Sequence, residues 1–193
     1  MDIFSHAFWT AVAAKGANSK IRYLWEVKPL RIAWAAVWGI APDVFAFAPL
    51  FVSLLLGLFL GIGDLRWDNL PRPTDAEPFG PPGHLAIFRL TNTLYNISHS
   101  LVTFAVVFAA AWLLRRRARW EMLGWLLHIF IDVPTHSYRF YPTPVLWPLA
   151  GWKFDGIPWG TPWFFVLNLS AMALVSVWLI WKRRWTKKLK AKN

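Results

Sequence analysis

Histidine and aspartate side chains recur at short spacing within one apolar stretch of the sequence. The segment 128–136 reads H-I-F-I-D-V-P-T-H, so that His128 and Asp132 lie four residues apart and His136 follows at the end of the segment. Residues at i and i+4 share one face of a helix, with Cβ atoms ~5–6 Å apart. Imidazole and carboxylate groups held that close can bind one metal ion. The sequence therefore predicts a metal site that uses His128 and Asp132.

Three further ionisable residues lie in apolar surroundings: His6 in S-H-A-F-W, Asp43 in G-I-A-P-D-V and His99 in N-I-S-H-S-L. A lone Asp at mid-membrane costs about 2.5–3.5 kcal/mol, and the apolar segments contain no Lys or Arg to neutralise it. A divalent cation would cancel both carboxylate charges. Carboxylates and imidazoles without thiolates suit Zn²⁺, with Mn²⁺ or Fe²⁺ as alternatives. The predicted metal ligands are His6, Asp43, His99, His128 and Asp132.

His136 is predicted to lie at the mouth of this site. Because the unperturbed pKa of histidine is near neutrality, His136 is a candidate general acid or outer ligand. We predict Asp132 and His136 as the catalytic residues. Each of the other residues has an alternative explanation when taken alone. His99 would be a hydrogen-bonded interior histidine, and Asp43 would be a helix cap after Pro42. For the whole set of residues, the alternative is a proton relay.

The composition predicts a helical membrane protein. Hydrophobic residues make up 56% of the 193 residues and aromatic residues 18%, including 15 Trp, and Trp favours membrane–water interfaces. Long apolar runs recur along the chain, which is typical of polytopic membrane proteins. We expect an all-α fold with about four transmembrane helices and a short N-terminal interfacial or re-entrant helix. The predicted segments are 3–14, 32–62 (bent or broken), 95–114, 120–133 and 162–181.

Basic residues occur in blocks beside the apolar segments and set the expected topology. The blocks at 15–31, 115–119 and 182–193 are predicted to be cytoplasmic, because Lys and Arg are retained on that side. The Pro-rich loop 64–92 and the loop 135–161 are then extracytoplasmic. We expect a single membrane domain over 1–193, in the inner (plasma) membrane, with a basic cytoplasmic tail. The net charge of +11 is interpreted as favouring contact with acidic lipid headgroups rather than binding of nucleic acid. Without cysteine, disulfides and thiolate metal sites are excluded.

The depths of the candidate ligands in the membrane agree with one another. They are counted along each helix from the nearest basic block, at a rise of ~1.5 Å per residue. The hydrocarbon core is ~30 Å thick, and all five groups fall between its middle and its outer half. This agreement favours one shared site. The heights are ~18 Å for Asp43 and Asp132, ~13 Å for His6 and His128, and ~24 Å for His99.

The order of these motifs resembles the YdjM-like family of inner-membrane proteins, described as metal-dependent hydrolases. The matching stretches are S-H-A-F-W, G-I-A-P-D-V, N-I-S-H-S-L and H-I-F-I-D-V-P-T-H, and the resemblance spans residues 3 to 148. That family is itself similar to zinc-dependent phospholipases C and P1-type nucleases. The resemblance implies an all-helical fold and a hydrolase. The chain departs from the family pattern after P-D, where it reads V-F-A-F, and before S-H-S, where it has Tyr95 and Asn96. Ligands for a second or third ion are therefore in doubt.

Three functions remain open at this level. The first is a metal-dependent hydrolase with one or two divalent ions, acting on a phosphoester or similar bond of a lipid or headgroup-level substrate. The second is a metal or ion transporter that uses the same ligands. It is disfavoured because the residues before His128 read M-L-G-W-L-L, with no polar path. The third is an assembly subunit that docks through its basic tail.

Overall fold

A computed structural model describes residues 1–24, 28–63, 86–116, 119–139 and 141–190 of the chain. Every regular element in these ranges is helical, which confirms the all-α prediction. The chain divides into two units, Met1–Pro158 and Trp159–Asn193. The elements are α1 (Ile3–Leu24), α2 (Ile32–Leu60), α3 (Ala86–Ser98), α4 (Leu101–Arg115), a 3-10 turn (Trp120–Met122), α5 (Leu123–Thr135) and α6 (Pro162–Lys190).

Two of the described helices are long and apolar enough to cross a membrane. They are Ile32–Leu60, with a mean hydropathy of 2.2, and Pro162–Trp185, with 2.0. Helices α3 and α4 qualify only together, as one span bent by 64°. The described part of the chain therefore has two candidate spans, or three if the bent pair counts, and the expected number of about four is not confirmed. Exposed apolar side chains along α2 and α6 suit contact with lipid.

Helix α1 is longer than the sequence indicated. Apolar patterning predicted a helix over 3–14, whereas the structure continues it through the polar residues to Leu24. The extension is held by Asn18, which donates from its amide to Leu30 O at 2.9 Å and accepts from Leu30 N at 2.7 Å. Asp2 caps the start of α1, since its Oδ1 accepts from Ser5 N at 2.9 Å. The expectation of a helix of about twelve residues was wrong because it ignored these polar contacts.

Helix α2 is the central element of the first unit and packs against α1, α3 and α5. The sequence predicted a bent or broken helix over 32–62, and the structure has one unbroken helix that contains both Pro42 and Pro49. Proline is tolerated in such helices because neighbouring groups can satisfy the freed carbonyls. The helix ends at Gly61, which has a left-handed conformation (φ 66°) and donates to Leu56 O. Glycine adopts this conformation without a Cβ clash.

The predicted helix over 95–114 is instead two helices separated by a turn at 99–100. Ser100 begins α4 as its N-cap, with Oγ accepting from Val102 N at 3.1 Å and from Thr103 N at 3.4 Å. Its hydroxyl also donates to Trp147 O at 2.5 Å. Helix α3 begins at Ala86, so the end of the predicted loop 64–92 is helical. Its residues 64–85 lie outside the described part of the chain.

We expect Ser100→Ala to destabilise the protein by about 1 kcal/mol, because Ala cannot satisfy the free N–H groups of the first turn of α4. The midpoint of thermal unfolding in detergent, followed by tryptophan fluorescence, measures the effect. Ser176→Ala on α6 is the matched control, since its hydroxyl bonds within its own helix, to Met172 O at 2.7 Å. Equal midpoints for the two variants would refute the capping role.

The end of α5 and the loop that follows it fold against each other. The helix was predicted to stop before Pro134, yet it continues to Thr135. The predicted loop 135–161 returns to this end: Gly156 N donates to His136 O at 2.8 Å, and Ile157 N donates to Pro134 O at 2.9 Å. A Cβ at Gly156 would lie 2.4 Å from Pro134 O, so glycine permits this close approach. The predicted tail 182–193 continues α6 as far as Lys190.

Candidate metal centre

The first unit contains a buried cluster of two carboxylates and two imidazoles. One ligand atom from each of four residues lies within 4.8 Å of the others, and the group could hold a metal ion. Helix α2 supplies one carboxylate, α5 supplies a carboxylate and an imidazole, and the turn between α3 and α4 supplies the second imidazole. Three of the four are fully buried. The four residues are Asp43, His99, His128 and Asp132.

The two oxygens of Asp132 face different groups. Oδ2 lies 3.1 Å from His128 Nε2 and 3.4 Å from His99 Nε2. Asp43 Oδ1 completes this side at 3.4 Å from His99 Nε2 and 3.6 Å from His128 Nε2. The two Nε2 atoms are themselves 3.0 Å apart. Four donor atoms therefore converge on one volume beside Oδ2.

The other oxygen, Oδ1, faces two more imidazoles. It lies 2.9 Å from His6 Nε2 and 3.5 Å from His136 Nε2. The imidazole of His6 also stacks on that of His128, with ring centroids 3.7 Å apart. The structure thus places all six residues singled out in the sequence in one cluster. His6, on α1, and His136, after α5, lie beside Oδ1 of the shared carboxylate.

Three of the imidazoles are oriented by backbone carbonyls. Nδ1 lies 2.6 Å from Gly39 O in His128, 2.7 Å from Tyr141 O in His136 and 3.2 Å from Tyr95 O in His99. A proton on Nδ1 donates to the carbonyl and leaves the Nε2 lone pair directed at the carboxylates. Metal-binding histidines commonly use their second nitrogen in this way. The tautomers that these contacts favour are those that a metal ion requires.

Several buried polar atoms of the cluster lack a hydrogen bond within the described residues. They are both ring nitrogens of His6 and Oδ2 of Asp132. Unsatisfied buried groups are costly, and a cation near Oδ2 would satisfy the carboxylate. The α-ammonium of Met1 also lies 2.5 Å from Asp132 Oδ1 and 2.9 Å from His136 Nε2, so a positive charge fits beside this carboxylate. The residues present therefore fit a divalent ion.

Close helix packing sets the positions of these side chains. A Cβ at Gly39 would lie 2.3 Å from Thr10 Oγ1, and one at Gly124 would lie 2.3 Å from Ala35 O. The two glycines let α1 and α5 approach α2 at backbone distance. The same close approach brings His128 within hydrogen-bonding distance of the Gly39 carbonyl.

Tyr95 is a site residue that sequence reasoning missed. Its hydroxyl donates to Tyr141 O at 2.8 Å and lies 3.0 Å from His136 Nδ1. Its ring stacks on His99 at 3.8 Å between centroids. The available signal was its position four residues before His99, on the same helical face. In the loop after α5, burial raises the pKa of the Tyr141 phenol above its usual value, so this side chain stays neutral.

Comparison with known proteins gives one result. A family model described as YdjM inner membrane protein matches residues 1–191 of the chain. The matched range includes every residue of the cluster. No curated protein and no solved structure matches the sequence.

Proposed function

Since the chain belongs to the YdjM inner membrane protein family, we propose that it is a membrane-embedded, metal-dependent hydrolase that cleaves a phosphoester or similar bond of a lipid or headgroup-level substrate. One observation carries the proposal. Asp43 and the Oδ2 oxygen of Asp132 face imidazoles, and no Lys or Arg of the described residues pairs with either carboxylate. The Met1 α-ammonium contacts the other oxygen of Asp132, Oδ1, and leaves Oδ2 and Asp43 without a cation. Buried charges are retained when they are paired or coordinate a metal.

The donor set narrows the choice of ion. Carboxylate oxygens and imidazole nitrogens without thiolates suit Zn²⁺, with Mn²⁺ or Fe²⁺ as the alternatives. When bound, such an ion polarises a phosphoryl oxygen and lowers the pKa of a bound water to ≈ 7. The contacts of His99 and His128 with backbone carbonyls support this assignment, because a proton on Nδ1 leaves Nε2 as the ligand atom in each.

Asp132 supports a second ion. Its Oδ2 lies in the group formed with Asp43, His99 and His128. Its Oδ1 lies beside His6 and His136. A second ion would be held by Oδ1, His6 and His136. It would displace the Met1 α-ammonium, which lies 2.5 Å from Oδ1, and it would make His136 a ligand in place of a proton-transfer residue. The expected metal content is therefore one ion per chain if only the first group binds, and two if both do.

His136 is the proposed proton-transfer residue. Its Nδ1 is held by Tyr141 O, and its Nε2 lies 3.5 Å from Asp132 Oδ1. Nε2 is then the atom that accepts a proton and returns it to the leaving group. Tyr95 acts as a positioning residue, since its hydroxyl shares the Tyr141 carbonyl with the imidazole.

Transport of the ion is the alternative function, and the packing counts against it. Next to the metal centre, α4, α5 and the 3-10 turn form a buried apolar cluster of Phe104, Met122, Trp125 and Ile129. Partly buried Trp38 and Phe108 pack around it. A permeating ion would meet no polar group in this cluster. Metal flux into proteoliposomes at rates above an Asp132→Asn control would favour transport.

Removal and return of metal tests the proposed activity. We expect the purified chain to release phosphate or headgroup from phospholipids in mixed micelles, to lose this activity with a chelator, and to regain it with Zn²⁺, Mn²⁺ or Fe²⁺. His136→Gln should lower turnover by about 10²–10⁴-fold, the usual contribution of a general acid or base. The ion beside Asp132 Oδ2 should remain bound, as elemental analysis would show.

The control for this variant lies on the same loop. Asp155→Asn removes an exposed carboxylate whose contact is with Tyr138 N at 2.9 Å, so it should leave both metal content and turnover unchanged. Chelator-resistant hydrolysis by metal-free protein would rule out the metal-dependent mechanism. Full turnover in His136→Gln would remove His136 from it.

A further inference from the structure

A second feature of the first unit lies apart from the metal centre. A cavity of about 390 Å³ opens where the start of α2, the end of α4 and the 3-10 turn meet. Three arginines line it, Arg31, Arg115 and Arg119, together with the rings of Trp34 and Trp38. Arg31 begins α2, and Asp43 lies twelve residues along that helix, which corresponds to ~18 Å at the usual rise. The cavity and the metal centre are therefore at different depths.

The charge in the cavity is positive. Arg31 Nε pairs with Glu121 Oε1 at 3.1 Å, and its guanidinium lies 5.4 Å from the centre of the Trp34 ring. Burial acts to raise the pKa of Glu121, but hydrogen bonds from its own backbone and from Arg31 lower it overall. Glu121 is therefore ionised, and its carboxylate forms an ion pair with Arg31. Arg115 and Arg119 are exposed and form no ion pair within the described residues, which leaves two guanidiniums for an anion.

An apolar groove continues from this cavity. A second cavity of about 240 Å³ shares two wall residues with the first, Trp38 and Val107. Its other walls are apolar apart from Ser98 and Thr103, and it extends along α2 to Pro42. Together the two cavities form a slot with a basic mouth and an apolar interior, between α2 and α4.

We propose that this slot binds one acidic phospholipid, with its phosphate at Arg115 and Arg119 and an acyl chain along the groove between Trp38 and Val107. Guanidinium groups form paired hydrogen bonds with phosphate. A basic cluster at the membrane surface attracts anionic lipids, and the apolar continuation matches a hydrocarbon chain. A soluble phosphate would use only the mouth and leave the groove without a partner. This proposal does not depend on hydrolysis.

The test uses the full chain in detergent, titrated with phosphatidylglycerol or with phosphatidylcholine of the same acyl chains, and native mass spectrometry to count bound lipids. Phosphatidylglycerol should bind the wild-type chain more tightly. The double variant Arg115→Gln/Arg119→Gln should weaken its binding by about 30-fold and bring it close to that of phosphatidylcholine. Val107→Trp, which fills the groove while keeping every charge, should also weaken phosphatidylglycerol binding.

The matched control removes two positive charges elsewhere. Lys15→Gln/Lys20→Gln changes two exposed residues of α1 that line neither cavity, so it should bind phosphatidylglycerol like the wild type. Equal losses in both double variants would show attraction to net charge alone and overturn the proposal. So would unchanged binding in Val107→Trp. Displacement of the lipid by soluble glycerol phosphate at the same concentration would instead define a phosphate site without an acyl groove.

Discussion

Replacement of Asp132 by asparagine is expected to abolish metal binding, with a loss of affinity of at least roughly 100-fold, since even residues that only support metal ligands contribute 10–100-fold. Asp132 is fully buried and is the one carboxylate that faces both groups of imidazoles. Asparagine keeps the size of the side chain but removes its negative charge. Elemental analysis of the purified variant, after equilibration with limiting Zn²⁺, measures the loss, and hydrolysis should fall with it.

Loss of metal from Asp132→Asn is informative only if the variant is folded. Its helical circular dichroism and its elution volume in detergent should match those of wild type, while Asp155→Asn, which changes an exposed carboxylate, should retain metal. Asparagine has nearly the same size and shape as aspartate, so a folded, metal-free Asp132→Asn is the expected product, although loss of the charge that faces the Met1 α-ammonium should lower its stability. A folded variant that still carries stoichiometric metal would disprove the central role of this carboxylate.

Gly124→Ala is expected to destabilise the first unit by about 1–3 kcal/mol, the usual cost of overpacking a well-packed interior. The added Cβ would lie 2.3 Å from Ala35 O, 2.9 Å from Thr10 Cγ2 and 3.0 Å from Gly39 N. Two of these atoms belong to backbone, which cannot turn aside as a flexible side chain can. Helix α5 must then move away from α2, which lengthens the contact between His128 and Gly39 O. Metal affinity should fall together with the unfolding midpoint.

Gly16→Ala is the matched control, because it makes the same change in a helix where a Cβ would meet nothing within 4 Å. Alanine is favoured over glycine in a helix by up to ~1 kcal/mol, so this variant should be unchanged or more stable. The two midpoints, measured by tryptophan fluorescence in the same detergent, should differ in opposite directions from wild type. A Gly124→Ala midpoint equal to or above that of Gly16→Ala would contradict the close packing of α5 on α2.

The sequence predicted the helices that are defined by apolar periodicity. It did not predict the helix ends and turns that depend on polar contacts. Long runs such as the one in α2 identified helices, because burial in lipid or protein favours them regardless of detail. The break at 99–100 was missed because the polar residues Ser98, His99 and Ser100 were interpreted as positions within one long apolar helix. It is stabilised by Ser100, whose partners on the loop near Trp147 are distant in sequence. The extension of α1 depends likewise on Asn18 and a remote carbonyl.

The candidate site was predictable from charge and depth. Five ionisable groups at similar heights, with no basic residue to pair with, indicated convergence, and the structure places them with His136 in one cluster. The sequence could not show which backbone carbonyls orient the imidazoles, because every residue has a carbonyl. The Gly39 carbonyl that orients His128, and the contact of Tyr95 with His136, follow from helix approach distances that only packing determines.

The cluster draws on parts of the chain that are made at different times. His6 and Asp132 are 126 positions apart in sequence, and no single helix carries both carboxylates. The imidazole of His6 can therefore contact Asp132 only after α5 has been synthesised. A metal ion that contacts both His6 and Asp132 could bind only after this step, because its ligands are not brought together earlier. Metal binding would then be a late step in the assembly of the protein, because it requires α5 to be in place.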